Sequence, residues 1–156
     1  MNRELIEKYA AGADVPARSI AGLDRTDLLA FPVPGTWSIQ QIILHLMDSD
    51  LIGADRMKRT AAEDRPTLVA YSENDFAAHL GYEHLSARDA AEVFRLNRLI
   101  TADILRRLPD SAFGRVGNHT ERGEVTLEQQ LAGYVQHVDH HLKFIRDKRK
   151  LLGKPL

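Results

Sequence analysis

Apolar residues recur at steps of three and four along four stretches of this chain, the period of one face of an α-helix. The longest pattern runs from Thr126 to Arg146, where Leu127, Leu131, Tyr134, Val138, Leu142 and Ile145 fall on one stripe. A second runs from Ile39 to about Ala62 through Ile42, Ile43, Leu46, Met47 and Ile52. The third lies between Ser86 and Pro109, with Ala90, Val93, Asn97, Ile100, Ile104 and Leu108 on one stripe, widened by Leu96, Leu99 and Leu105. The first, from Asn2 to about Ala11, is marked by Leu5, Ile6 and Tyr9. It continues through Ala17, Ile20, Ala21 and Leu23 after a bend or break near Pro16.

Helix starts are signposted in the sequence. Ser38-Ile-Gln-Gln41 and Thr126-Leu-Glu-Gln129 fit the capping box, in which a hydroxyl and a glutamine satisfy each other's orphan backbone amides. Ser86-Ala-Arg-Asp89 reads as a third cap. Between helices, Leu28 to Trp37 carries Phe31-Pro-Val-Pro-Gly and reads as a loop. Glu63 to Asp75 reads as another, with a short helix over Asp75 to Leu80 ended by Gly81. A glycine-bearing loop follows through Gly114, Gly117 and Gly123. No strand pattern is sustained over five residues, so the expected fold is all-α, a four-helix bundle spanning residues 1–156 as one domain.

Composition narrows the chemistry. A formal net charge of −1 gives no global field for gripping nucleic acid or acidic lipid. The basic stretch Lys143 to Lys154 is the local exception. It reads as a solvated helix end whose cations complement the dipole. With no cysteine, disulfides, thiolate ligands and a cysteine nucleophile are excluded, so any metal must be held by histidine and oxygen. The N-terminus has charges where a signal peptide needs an apolar core, and no run reaches membrane-spanning length, so a cytoplasmic protein is expected.

Histidine carries the candidate chemistry. His137 and His141 are one helical turn apart and border the apolar stripe of the last helix. Imidazoles at i and i+4 can share one metal ion, or each can be hydrogen-bonded in an ordinary core. His45, at the edge of the apolar face of the second helix, is a third such histidine. His140 points about 100° away from His141 around the helix, and His79 and His84 read as surface residues.

Around these histidines the sequence Trp37-Ser-Ile-Gln-Gln-Ile-Ile-Leu-His45-Leu-Met-Asp-Ser49 resembles the DinB/YfiT-like superfamily of metal-binding four-helix bundles. The YfiT-like branch is the nearer match. Glu63-Asp-Arg-Pro-Thr-Leu-Val-Ala-Tyr71 followed by Glu73 resembles its linker, and His119-Thr-Glu-Arg-Gly123 precedes Tyr134-Val-Gln-His137-Val-Asp-His-His141 as in that branch. The resemblance covers about residues 17 to 150. It implies His45, His137 and His141 as metal ligands. The branch commonly has further histidines where this chain has Leu44 and Asp50, and neither departure touches a ligand.

Three neutral imidazoles leave coordination positions open, as at catalytic sites; imidazole ligation suits zinc, nickel, copper or iron, and of these zinc is the first choice and nickel the second. Such an ion activates water for hydrolysis or a thiol for transfer. The resemblance implies a metal-dependent hydrolase, or a transferase or isomerase using a low-molecular-weight thiol such as bacillithiol or mycothiol. Asp48, three residues after His45, is a candidate to orient an imidazole, and equally a surface carboxylate. Glu73, His119 and Glu121 lie in segments that either overhang the site or are simply solvated. The competing expectation is a dimeric, stress-associated binding protein with a structural or vestigial metal, because an amphipathic bundle has apolar surface to spare for a C2 partner. A homodimer is expected in either case, and nucleic-acid binding has no basic recognition surface behind it.

Overall fold

Reciprocal caps set the register of both helices that carry the histidine trio. In the computed structural model, which describes residues 2–156, the elements in order are α1 (Asn2–Ala11), α2 (Val15–Ser19), α3 (Arg25–Leu29), α4 (Ile39–Ala62), β1 (Thr67–Leu68), α5 (Glu73–His79), α6 (Ala87–Arg106), β2 (Val116–His119), β3 (Gly123–Thr126) and α7 (Leu127–Leu151). At the start of α4, Gln41 N–H donates to Ser38 Oγ at 3.1 Å while Ser38 N–H donates to Gln41 Oε1 at 2.9 Å. Thr126 and Gln129 repeat the arrangement at α7, at 3.1 and 2.9 Å. Each pair satisfies two amides that a helix start otherwise leaves bare.

The bundle is formed by α1, α4, α6 and α7. α4 packs against α6 and α7, and α1 against the same two helices. The all-α four-helix bundle expected from the periodicity is the fold observed. Its interior is layered. One apolar cluster gathers Ile39, Ile42, Ile43 and Leu46 of α4 with Ala90 and Phe94 of α6 and Val138 and Ile145 of α7. A second gathers Ile6 and Tyr9 of α1 with Met57, Ala102, Leu105, Leu127 and Leu131.

Between the two clusters lies a polar layer centred on Arg98, which is 1% exposed, and Asp50, which is 2% exposed. Arg98 Nε donates to Asp50 Oδ1 at 2.9 Å, Nη1 to the Tyr9 carbonyl at 3.2 Å and Nη2 to the Tyr134 carbonyl at 2.7 Å. Tyr9 Oη and Asn97 Nδ2 donate to the other oxygen of Asp50, at 3.2 and 2.9 Å. One guanidinium thus ties all four helices together, and it lies over the Tyr9 and Phe94 rings at 4.3 and 4.6 Å. Asp50, a residue with no place among the candidate ligands, anchors this layer.

The structure departs from the sequence reading in several places. The break expected near Pro16 is present but lies just before it, between the end of α1 at Ala11 and the start of α2 at Val15, and the proline itself occupies the first turn of α2, where its missing N–H costs no bond. The segment expected as a loop from Leu28 begins inside α3, capped reciprocally by Asp24 and Asp27. A small sheet occupies the linkers, with β1 parallel to β2 and β2 antiparallel to β3. Its strands have two to four residues, too short for a period-two pattern to register. At the basic end of α7 two cations are buried. Arg149 donates to the carbonyls of Ser19, Ala21 and Lys154, and Lys148 Nζ to Thr36 Oγ1 at 2.6 Å. They close α7 onto the α2–α4 region, so the solvated helix end holds only for the remaining cations.

The largest departure concerns α6. Its buried face consists of Ala87, Ala90, Ala91, Phe94, Arg98, Thr101, Ala102 and Leu105. Val93, Leu96, Leu99, Ile100 and Ile104, expected inside, are exposed.

Candidate metal centre

Helix α4 delivers His45 from its second turn, and α7 delivers His137 and His141 from one face a turn apart. His45 is wholly buried, at 1% exposure, rather than at the edge of its helix face, and His141 is buried with it. Their ligand nitrogens all lie within 4.8 Å of one another. His137 Nε2 is the shared vertex, 3.1 Å from His45 Nε2 and 3.1 Å from His141 Nε2. A tetrahedral ion bound at 2.0–2.1 Å would separate its nitrogens by about 3.3 to 3.4 Å, close to the spacing found.

The donor set fits a cation for a second reason. One ring nitrogen carries either one proton or one lone pair in its plane, so His137 Nε2 cannot make a good hydrogen bond to both neighbours. A divalent ion satisfies all three lone pairs at once. With Nε2 turned inward, each Nδ1 carries the proton. His45 Nδ1 then donates to Tyr71 Oη across a long 3.5 Å, whereas His141 Nδ1 is buried with no partner among the described residues.

Burial, above all, pushes these imidazoles toward the neutral form that ligates. The pKa of His45 falls to about 3, with the neighbouring His141 adding to the effect. His137 falls to about 3 from burial, then His141 and His45, and His141 to about 4 from burial, then His140. A histidine whose folded pKa lies below its unfolded value of about 6.5 contributes stability that is complete above that value and is lost as the pH falls toward the folded one. The metal-free protein is therefore expected to keep its melting temperature from pH 8 to about 6.5 and lose it steadily toward pH 4. Replacing all three histidines by glutamine should flatten that fall. An equally steep fall in the triple variant would assign the acid sensitivity to other groups.

Aromatic side chains wall the cluster. Trp37 stacks parallel to His141 with ring centres 6.4 Å apart, and tilts over His45 at 4.9 Å. Tyr134 packs on Gly53, where a Cβ would fall 2.2 Å from Cζ of the tyrosine ring; only glycine lets α4 and α7 approach there. On the other side His137 opens into a cavity of about 950 Å³. Its lining includes Arg56, Tyr71, Glu73, His119, Glu121, Arg122 and Tyr134.

The candidate polar residues separate on position. Glu73, at the start of α5, reaches to 3.7 Å from His45 Nε2 with its carboxylate half-exposed. His119 is buried on β2 rather than solvated, and Glu121 N–H donates to its Nδ1 at 3.2 Å, so Nε2 bears its proton. Burial, then Arg56 and Arg122, lowers the pKa of His119 and keeps it neutral. Glu121 lines the cavity. Asp48 makes no hydrogen bond or ion pair with a histidine among the described residues: its carboxylate accepts from Tyr82 Oη. His140, His79 and His84 are exposed. Trp37, Tyr71, Arg56 and Tyr134 were missed in sequence as parts of the site, since a lone aromatic near a proline-rich loop or an arginine inside a helix carries no local signal of what it will face.

Residues 11–145 match the family profile described as the DinB superfamily. A "putative metal-dependent hydrolase" of Halalkalibacterium halodurans is 29% identical over 124 residues, 80% of this chain and 72% of the relative. Among solved structures, YfiT from Bacillus subtilis, described as a probable metal-dependent hydrolase with an unusual four-helix bundle topology, superposes with a TM-score of 0.91 at 22% identity, covering 97% of this chain and 87% of that one. A mycothiol-dependent maleylpyruvate isomerase follows with a TM-score of 0.70 at 14% identity, covering 92% of this chain and 60% of that one.

Proposed function

The chain belongs to the DinB superfamily, and from that premise we propose that it is a metal-dependent enzyme acting on a small molecule, a hydrolase or a transferase of a low-molecular-weight thiol. His45, His137 and His141 hold a divalent transition metal, zinc in the first place and nickel in the second. The observation that carries the reading is the junction of this cluster with the 950 Å³ cavity at His137. A structural metal site is closed by its fourth protein ligand, whereas a catalytic one faces space for a substrate. When bound, such an ion supplies Lewis acidity that makes water or a thiol nucleophilic near neutral pH.

The chain's own groups then have definite tasks. Glu73, the carboxylate beside His45, is placed to take the proton of the nucleophile as general base. Tyr71, whose pKa burial raises to about 12, stays protonated; its hydroxyl orients His45. His119 offers Nε2–H as a neutral hydrogen-bond donor among the cavity-lining groups. Trp37 shields the opposite side of the cluster from water.

The test loads the purified protein with zinc or nickel. It then assays ester and amide hydrolysis beside conjugation of bacillithiol, mycothiol, glutathione and coenzyme A to one electrophile. Turnover in one arm chooses between hydrolase and transferase. Glu73→Gln should keep the metal and lose about 10²- to 10⁴-fold in rate. A fully loaded protein without turnover in either arm would favour a non-catalytic binding role, and an unchanged Glu73→Gln rate would remove that residue from the chemistry.

A further inference from the structure

The cavity beside the histidines is charged unevenly along its length. From His45 to Arg56 the chain makes almost three turns of α4, so the two side chains share a face, with Arg56 about 16 Å further along the helix axis. On α7, Tyr134 and Gln130 line the cavity on the way from His137 toward the start of that helix. At the histidine end stands the Glu73 carboxylate, 3.7 Å from His45 Nε2. At the other end stand Arg56 and, from the turn between β2 and β3, Arg122.

Neither guanidinium is in an ion pair among the described residues, whereas Arg59, Arg65, Arg95, Arg98 and Arg106 all lie against carboxylates. Arg56 donates to two neutral acceptors, Tyr134 Oη at 3.3 Å and the Val69 carbonyl at 2.5 Å, and its buried Nε has no partner among the described residues. On open surface such a charge is simply solvated, but these two cations face one enclosed space. Burial lowers the pKa of His119 and raises that of Tyr134, and Arg56 and Arg122 pull both down, so two groups on different elements lie in the field of both. Of the carboxylates at this end, Glu124 is paired with Arg65, and Glu121 alone opposes the two cations. One positive charge is left over. Two neutral donors stand beside it: His119 Nε2–H, and the Tyr134 hydroxyl, which accepts from Arg56 and keeps its own hydrogen to donate. A guanidinium fork matches carboxylate and phosphate alike, but a single excess charge suits the monoanionic carboxylate better. The Tyr134 ring lies 6.4 Å from that of His137, so one small molecule spans from the cluster to Arg56. We infer that Arg56 and Arg122, with His119 and Tyr134, form a carboxylate-binding subsite, and that the molecule acted on at the histidines carries a free carboxylate. Only the second half of that statement rests on reading the three histidines as a metal site.

Zinc-loaded protein titrated in a calorimeter with mercaptopropionate and mercaptohexanoate, and with mercaptopropanol and mercaptohexanol, reads the subsite directly. Each probe puts a thiol on the ion and either a carboxylate or a hydroxyl at its other end. One of the acids should bind about 10- to 100-fold more tightly than its alcohol, the worth of charge-assisted hydrogen bonds. Arg56→Gln, with helical and zinc content checked, should bring the acid down to the affinity of the alcohol. Arg56→Lys, which keeps the charge without the fork, should recover part of the preference, and Arg122→Gln on the exposed hairpin turn should reduce it about three- to fivefold. The metal-free protein supplies a second arm. There the Arg56 Nε–H resonance, identified by its loss in Arg56→Gln, should shift and saturate with hexanoate and not with hexanol. Equal affinity for acids and alcohols, or an Nε–H resonance that hexanoate leaves unmoved, overturns the subsite and leaves the metal reading standing. If neither acids nor alcohols bind the zinc-treated protein, the reading of the histidines as an open metal site falls, and the hexanoate titration alone decides the subsite. Hexyl phosphate displacing hexanoate at lower concentration rejects carboxylate in favour of phosphate.

Discussion

Alanine at position 137 is expected to abolish metal retention, because His137 Nε2 is the one nitrogen in contact with both others of the cluster. Without it His45 and His141 remain on different helices with no shared vertex. Disturbing a group that merely supports a ligand costs about 10- to 100-fold in metal affinity, so losing this ligand should cost at least that. Elemental analysis of protein purified without a histidine tag should find about one equivalent of metal in the wild type and less than about a tenth in the variant, even after zinc is added. The thermal readout is independent. An ion that binds only the folded state adds about 2.7 kcal/mol at a hundredfold excess over its Kd, and that increment should vanish in the variant. The metal-free variant should fold as before, since the two apolar clusters do not depend on the imidazole. His140→Ala serves as the control, its side chain being exposed. Should His140→Ala lose the metal while His137→Ala keeps it, the ligand assignment on α7 falls.

The second large effect is structural. Arg98→Met should cost about 3 to 5 kcal/mol, a large part of the 5 to 15 kcal/mol typical of a domain, by stranding the Asp50 carboxylate in the interior. Burial pushes the Asp50 carboxyl up while Arg98, Asn97 and Tyr9 pull it back. Without the guanidinium it rises further. A carboxyl raised in the folded state loses stability as the pH climbs above its ordinary 3.8, so the deficit of the variant should be largest at neutral pH and narrow in acid. Urea titrations at pH 7 and pH 5 measure both quantities. Adding Asp50→Leu to Arg98→Met removes the stranded charge and should recover much of the loss. A single-variant cost below about 1 kcal/mol would show that the polar layer contributes specificity of packing rather than stability.

What was legible in the chain was what is local. The caps at Ser38 and Thr126 are decided within four residues, and both helices begin where those residues require. His137 and His141 share a face by helical geometry alone. That His45 meets them is a tertiary fact; its place beside an apolar helix face made it a candidate, and the resemblance to a family implied that it joins the other two. The orientation of α6 was not legible, for a specific reason. Two apolar rows run along that helix, and hydrophobicity favours turning the larger side chains inward. The decision is made by Arg98, whose charge must reach Asp50, and the alanines beside it turn in because they share its face. Arg149 misled in a similar way. Cations in a last helical turn ordinarily face water, but here the carbonyls of Ser19 and Ala21 take up its guanidinium.

The strand β1 has two residues, and beyond it the chain crosses the cavity on few supports. The Val69 carbonyl accepts from Arg56 Nη2 at 2.5 Å, and Ala70 N–H donates to Thr120 Oγ1 at 2.9 Å, while the Val69 side chain is 67% exposed. Exposed hydrogen bonds with little buried apolar area open at a fraction of the free energy of global unfolding. The segment leading to Tyr71 and Glu73 is therefore expected to open more readily than the helices beneath it, and faster amide hydrogen exchange at Val69 and Ala70 than in α4 and α7 would show it. Entry of a ligand is thus a matter of loop motion and the spacing of the histidines a matter of the bundle, joined at one point, the contact of Tyr71 Oη with His45 Nδ1.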